Sequence, residues 1–188
     1  MKLNLGCGFN KLEGWTNVDR FATCQPDVVF DLETTPWIWD ANSAESILLN
    51  HSLEHMGKDS ATFLKIMQEL YRISAPDCEI EINVPHPRHD NFLDDPTHVR
   101  PITPRLLRLF DMRMNRHWQT TGEPYSLLAI YLNVDFEIID AQQVPDEPYL
   151  GDFQNGSINV AELEKLAREN NNVVSEYRIR LKARKGPG

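Results

Sequence analysis

An α/β fold with a mostly parallel sheet is predicted by three features of this sequence. Short apolar strands recur in series through the first 85 residues, an amphipathic helix lies between the fourth and fifth of them, and a strand pair arrives late. Lys2 to Leu5 reads as the first strand, Trp15 to Asp19 as the second, Asp27 to Leu32 as the third and Glu45 to Asn50 as the fourth. A helix capped at Asp59 or Ser60 follows, because Phe63, Ile66, Met67, Leu70 and Ile73 recur at helical spacing on one face. Pro76 and Asp77 are expected to stop it, and Glu79 to Val84 forms the fifth strand.

From Pro85 to Pro104 periodicity disappears, and proline, histidine and aspartate dominate. So long a stretch inside a compact chain reads as an ordered functional loop or lid. A helix from Pro104 to about Arg116, a strand from Val134 to Val144, a helix from Val160 to Asn170 and a strand from Val173 to Lys185 complete the pattern. Gly186, Pro187 and Gly188 read as a frayed end. Residues 1–188 are expected to form one domain, with a core over 2–84, a lid and acceptor-side segment over 85–118, and C-terminal strands with an insertion over 119–185. Apart from its strand, the stretch from Glu123 to Gly156 carries no readable signal.

The connections between the early strands are short. Six residues separate Gly8 from Trp15, and the link from Asp19 to Asp27 is similar. A parallel crossover with its helix needs about 10–12 residues, so two helices are expected to be missing or reduced to single turns. The strands alternate in a matching way. Glu79, Glu81 and Asn83 oppose Ile80, Ile82 and Val84, and Lys2 and Asn4 oppose Leu3 and Leu5. Strands covered on both faces are apolar throughout. One face of the sheet is therefore expected to be open, or covered by C-terminal segments or by a second copy in a homodimer.

The chain has 188 residues, 41% hydrophobic and 25% charged, as expected of a globular protein. No run approaches the ~18 apolar residues of a membrane span, and the glycine turn at Gly6 leaves no room for a secretory leader. Cys7, Cys24 and Cys78 are odd in number and without CxxC spacing, which argues for a reducing, cytoplasmic setting and against a zinc site. A net charge of −9 repels nucleic acid. The basic cluster Arg178, Arg180, Lys182, Arg184 and Lys185 reads instead as the outer face of a strand, since Ile179, Leu181 and Ala183 take the other parity.

Gly6-Cys7-Gly8 ends the first strand and lets backbone approach a ligand closely. It is not the dinucleotide fingerprint. Lys11 stands where the third glycine belongs, and Asp19 follows Gly8 by eleven residues rather than about 20. No phosphate-binding P-loop is present. The other strand ends give the turn its meaning: Asn17-Val18-Asp19, Phe30-Asp31-Leu32-Glu33 and Leu49-Asn50-His51. Ligands of open α/β sheets bind outside the carboxyl ends of the strands. There one carboxylate suits ribose hydroxyls and another an adenine amino group. Aspartates at strand ends also cap turns.

Leu-Asn-Leu-Gly-Cys-Gly (3–8), Gly-Trp-Thr-Asn-Val-Asp (14–19), Asp-Leu-Glu (31–33) and His-Ser-Leu-Glu-His-Met (51–56) make the sequence similar to class I S-adenosylmethionine-dependent methyltransferases, over roughly residues 2–110. The nearest likeness is to a compact bacterial-type subgroup with a short link after the glycine turn. The resemblance implies a Rossmann-like sheet with a late antiparallel strand and S-adenosyl-L-methionine as cofactor. It assigns Gly6 and Gly8 to the methionine moiety, Asp19 to the ribose, Asp31 and Leu32 to the adenine, and Asn50 and His51 to the wall of the site. Asn4, Cys7 and Arg20 complete the expected contact set. The chain departs from the family in carrying Pro76-Asp77-Cys78 where Pro-Gly-Gly is usual.

Methyl transfer from a sulfonium is an in-line displacement, which requires alignment of the acceptor and, for a hydroxyl, removal of its proton. The lid sequence supplies His86, His89, Asp95, His98 and Arg100. Asp95, His98 and Arg100 match an Asp-x-x-His-x-Arg stretch of similar proteins. His98 is then the expected general base, Asp95 its orienting carboxylate and Arg100 an acceptor-binding group, with His86 and His89 lining the lid. The acceptor would offer an oxygen or nitrogen of a small molecule or glycan, the glycan on resemblance alone. The same residues fit self-capped turns. They also fit a metal site of His86, His89, Asp95 and His98 in a metal-dependent hydrolase; a cofactor-binding regulatory module without catalysis is a third possibility. His51 and His55, four apart, are expected to pack around the cofactor, and His117 beside Trp118 to form a surface pair.

Overall fold

The structure is a computed structural model that describes residues 1–186; Pro187 and Gly188 of the expected frayed end lie outside the described residues. The strands are β1 (Lys2–Leu5), β2 (Thr16–Asp19), β3 (Val28–Val29), β4 (Ala44–Asn50), β5 (Ser74–Pro85), β6 (Phe136–Pro145) and β7 (Val174–Ala183). The helices are α1 (Ser60–Ile73), α2 (Asp90–Leu93), α3 (Pro104–Leu107), α4 (Met112–Thr121), α5 (Leu128–Leu132), α6 (Tyr149–Gln154) and α7 (Val160–Glu169). One sheet has the order β3-β2-β1-β4-β5-β7-β6, and among the described residues only β7 runs against the rest. This is the Rossmann-like, mostly parallel sheet with a late antiparallel strand.

Strand parity decides what the sheet buries. Leu3, Leu5, Val18, Ile47, Leu49, Ile80, Ile82, Ile179 and Leu181 share one face and are buried with the predicted apolar stripe of α1. Each such side chain contributes roughly 1.5–3 kcal/mol. Asp59 caps α1, its Oδ1 accepting from the Thr62 amide at 2.9 Å.

The other face carries no helix over its centre. Glu79 and Glu81 are exposed there, and Arg180 lies 3.8 Å from Glu79 and 3.6 Å from Asp140. Exposed pairs of this kind add little stability, but they keep the face wetted. The C-terminal segments extend the sheet at its edge rather than covering this face, so that part of the expectation is corrected. Over β1 and β2 the cover is a loop. Asn4 Nδ2 donates to Asn17 Oδ1 and to the Asn10 carbonyl, both at 2.9 Å, and Asn17 Oδ1 accepts from the Leu12 amide at 2.8 Å. Two buried asparagines thus hold the link from Gly8 to Trp15 flat, where longer links hold a helix. A single 3-10 turn, Ala22–Cys24, is all that lies between β2 and β3.

Some elements differ from expectation. The third strand keeps two paired residues, because β2 ends at Asp19 and offers no further partner. The fifth begins at Ser74, directly after α1; the expected stop at Pro76 and Asp77 is a bulge, with Asp77 at φ +63. The expected helix from Pro104 to Arg116 is broken in two. Asp111 starts a new helix by accepting from the Arg113 amide at 2.8 Å and the Met114 amide at 3.0 Å. Arg184 leaves the charged outer face. It lies beyond the end of β7, 2.7 Å from Asp111 and 2.5 Å from Asp135, and its side chain is 13% exposed.

Candidate active site

The carboxyl ends of β1, β2 and β4 open on a cleft of about 400 Å³. The glycine turn forms its floor. Gly6 has φ +71, and a Cβ there would meet Ser52 Cβ at 2.5 Å, so only glycine fits beneath the β4 exit. Ser52 Oγ in turn donates to the Leu5 carbonyl at 3.0 Å. Gly8, at φ +50, is held from the next strand: Asp19 Oδ2 accepts from its amide at 2.8 Å, and Asp19 Oδ1 accepts from the Phe21 amide at 2.8 Å. Each carboxylate oxygen retains a second lone pair. Asp19 therefore caps the turns, as strand-end aspartates do, and still offers acceptors to the cleft.

Seven of the ten expected cofactor residues line this cleft: Gly6, Gly8, Asp19, Arg20, Asp31, Leu32 and His51. Asn4, Cys7 and Asn50 do not. They border a second cavity of about 250 Å³ with Asn10, Leu12 and Leu48. Asn4 and Asn50 have the parity of Leu48, on the open face of the sheet, and Asn50 Oδ1 accepts from Asn83 Nδ2 at 3.0 Å. Phe21, Phe30, Met56 and Thr97 line the main cleft without having been singled out. Phe30 and Met56 stand inside the quoted motifs without an assigned role, Phe21 lies two residues after Asp19, and Thr97 stands between Asp95 and His98, so position in or next to a motif was the available signal.

His51 has its Nε2 2.7 Å from Glu176 and its Nδ1 3.6 Å from Glu54. The two carboxylates, Glu54 foremost, raise its pKa above the ordinary histidine value against the opposing effect of burial. His51 and His55 do not share a helical face, since His51 has φ +49 and precedes a 3-10 turn, Leu53–His55. Both line the cleft.

The lid residues differ most from expectation, for none of His86, His89, Asp95, His98 and Arg100 lines the cleft. His86 is buried against Tyr177, and its Nδ1 accepts from the Arg88 amide at 3.2 Å. Burial pushes its pKa down to about 4. His89 Nδ1 caps α2 by accepting from the Asn91 amide at 3.0 Å, so its Nε2 donates to Asp146 at 2.8 Å. That bond is the main reason the Asp146 carboxyl is held below its usual range. Arg88 reaches the Arg168 carbonyl and Asn171. These residues tie the lid to the small cluster of Leu163, Ala167, Val173 and Val174 around α6 and α7.

Asp95 is a turn cap. Its Oδ1 accepts from the Thr97 amide at 2.8 Å and from Thr97 Oγ1 at 2.6 Å, and these bonds lower its pKa. Arg100 donates to the Gly57 carbonyl at 2.9 Å and lies over the Phe63 ring. His98 stands behind His55, ring centroids 4.6 Å apart, and stacks on Phe92, with its Nε2 3.8 Å from Oδ2 of Asp95, the carboxylate expected to orient it. The proposed metal set of His86, His89, Asp95 and His98 is dispersed, because His86 and His89 face the α6–α7 side. Among the described residues the one group of three ligand side chains brought together is Glu54, His55 and His98. His117 is exposed and 3.6 Å from Glu123, while Trp118 is buried against Tyr125.

No family model matches the chain, and no curated protein matches it in sequence. Solved structures do. A SAM-dependent methyltransferase from Archaeoglobus fulgidus is 21% identical, with a TM-score of 0.62, over 96% of this chain and 85% of that one. The [4+2]-cyclase SpnF is 14% identical, with a TM-score of 0.56, over 98% of this chain and 75% of that one. The 1,6-didemethyltoxoflavin-N1-methyltransferase of Burkholderia thailandensis, solved with its acceptor and S-adenosylhomocysteine, is 12% identical, with a TM-score of 0.52, over 98% of this chain and 71% of that one. The fold is that of the class I S-adenosylmethionine-dependent methyltransferases. A cyclase shares it, so the reaction is argued from the site.

Proposed function

We propose that this protein binds S-adenosyl-L-methionine in the cleft and transfers its methyl group to an oxygen or nitrogen of a small-molecule acceptor. The observation that carries the reading is the Gly6–Gly8 turn clamped by Asp19 at the carboxyl edge of the sheet, beside an apolar wall of Phe21, Phe30 and Leu32. The residues fit the cofactor. Glycine backbone approaches a zwitterionic tail without bulk, Asp19 offers acceptors to paired ribose hydroxyls, and Asp31 offers one to an adenine amine. The flat aromatic wall suits a purine. A cleft of about 400 Å³ lies within the range of small-ligand sites.

When bound, the cofactor supplies a methyl group activated on a sulfonium. The chain supplies position and charge. Thr97, His55 and Met56 also line the cleft, and the acceptor is placed beside them. Thr97 Oγ1 donates to Asp95, so it accepts from His55 Nδ1 at 2.9 Å, and the His55 Nε2 lone pair is left unengaged by that bond. The Pro85–Arg100 segment, docked on α6 and α7, closes the acceptor side, with His98 behind His55. A carbohydrate-like acceptor is one member of the class to be tried.

The test is transfer of label from methyl-labelled S-adenosylmethionine to hydroxyl- and amine-bearing acceptors, glycans included. Label in one acceptor class, reduced at least tenfold in His55→Ala, is the expected outcome. Cofactor binding with no transfer to any class would make the chain a binding module instead.

A further inference from the structure

Glu54 is a costly side chain to leave as it stands. It is wholly buried, and neither carboxylate oxygen has a hydrogen-bond partner. An isolated buried carboxylate is strongly disfavoured unless a cation or donors compensate it. Arg100 donates to the Gly57 carbonyl and lies over the Phe63 ring, 4.4 Å away, and no hydrogen bond joins its buried, unpartnered Nε to the carboxylate. His51 Nδ1, at 3.6 Å, is an ion-pair partner of Glu54 but stands too far to donate a hydrogen bond.

Two imidazoles, those of His55 and His98, each bring a ring nitrogen close to this carboxylate. The His98 Nδ1 stands 2.9 Å from the Phe92 carbonyl, which accepts only, so His98 is protonated on Nδ1. The His55 Nδ1 donates to Thr97 Oγ1, whose own proton is given to Asp95. Nε2 is thereby left with the lone pair in each ring. A second oxygen partner fixing the far nitrogen is the arrangement that orients ligating histidines. One ligand atom from each of Glu54, His55 and His98 lies within 4.8 Å of the others. Around a shared ion at about 2.0–2.2 Å, such atoms sit roughly 3–3.5 Å apart, so small side-chain rotations close the site.

We infer that Glu54, His55 and His98 form a divalent-cation site beside the cleft, at His55. Two imidazoles and one carboxylate suit first-row ions such as Mn²⁺, Co²⁺ or Zn²⁺ and leave coordination positions open. His55 lines the cleft, so the open positions face it. An ion held there would make a bound hydroxyl oxygen more acidic, its proton passing to water at the mouth. This role deepens the methyl-transfer reading and rests on it, favouring an oxygen acceptor; the cation site itself does not rest on it.

The test is a titration of the metal-stripped full chain with Co²⁺, followed by its visible absorption, and with Mn²⁺, followed by water proton relaxation. One ion per chain at micromolar concentration is expected, with enhanced relaxation from water on the open positions. Glu54→Gln, which keeps the shape, and His98→Gln should each weaken Co²⁺ binding about tenfold or more, with unchanged far-ultraviolet circular dichroism confirming the fold. No stoichiometric binding at millimolar Co²⁺, or affinity unchanged in both variants, overturns the site. Calorimetry with S-adenosylmethionine in excess chelator separates the two readings. Cofactor binding without cation binding sinks this inference alone, and cation binding without cofactor binding sinks the methyl-transfer reading.

Discussion

The His86 imidazole, 7% exposed and packed on Tyr177, has no acid near it to stabilise a charge, while His89 and Arg88 add positive charge. Its pKa near 4, against an ordinary 6.5, means that the unfolded chain binds a proton that the folded chain refuses. The stability this confers is fully present above pH 6.5 and is lost as pH falls toward 4. His51 slopes the other way, since its raised pKa adds stability below pH 6.5 that is lost as pH rises through the folded value. Urea midpoints measured from pH 7 down to pH 4 should fall more steeply for the native chain than for His86→Gln. Identical slopes for the two would show that His86 is solvated.

Single residues were legible where the chemistry is local. Asp59 as a cap, Gly6 as a turn and Asp19 at a strand end all follow from side-chain size and from short-range hydrogen bonding. The lid histidines were not legible, because their partners lie far along the chain: Asp146 for His89 and Tyr177 for His86. Sequence offered a histidine and a carboxylate; the fold decided which ones meet. Glu54 was hidden for the same reason, since a carboxylate in a polar motif gives no sign that folding will bury it.

Among the elements, α1 and β7 were readable to within a residue or two, because each has a periodic apolar face against the core. The short helices α2, α5 and α6 were not, as four to six residues carry too few turns for a pattern to register. The break between α3 and α4 is explained by tertiary contacts that only the fold reveals. Asp111, besides capping α4, pairs with Arg184, which also holds Asp135. This mostly buried triad fastens the end of β7 to α4 and to the start of β6. Removing the cation leaves two shielded carboxylates facing each other, so Arg184→Ala should cost about 2–4 kcal/mol, read as a lowered midpoint in urea. A loss below about 0.5 kcal/mol would place the triad with ordinary surface pairs.

At the scale of the whole molecule, two short links trim the fold. They remove the helices that would cover one face of the sheet, and buried asparagines and a charged ladder take their place. The lengths of those links and the alternation of the strands made this visible beforehand. The packing of the Pro85–Arg100 segment was not, because residues 123–156, which hold α6, carry no readable pattern and that segment has no periodicity of its own. The cleft is left at the carboxyl edge, lined by the glycine turn, Asp19 and His55, with Glu54 and His98 grouped around His55 outside the lining. Calorimetric titration with S-adenosylmethionine tests the central claim most directly. A single site per chain, lost in Asp19→Ala that retains its circular dichroism, is the predicted result; no heat of binding at millimolar cofactor, or affinity unaffected by Asp19→Ala, would contradict it.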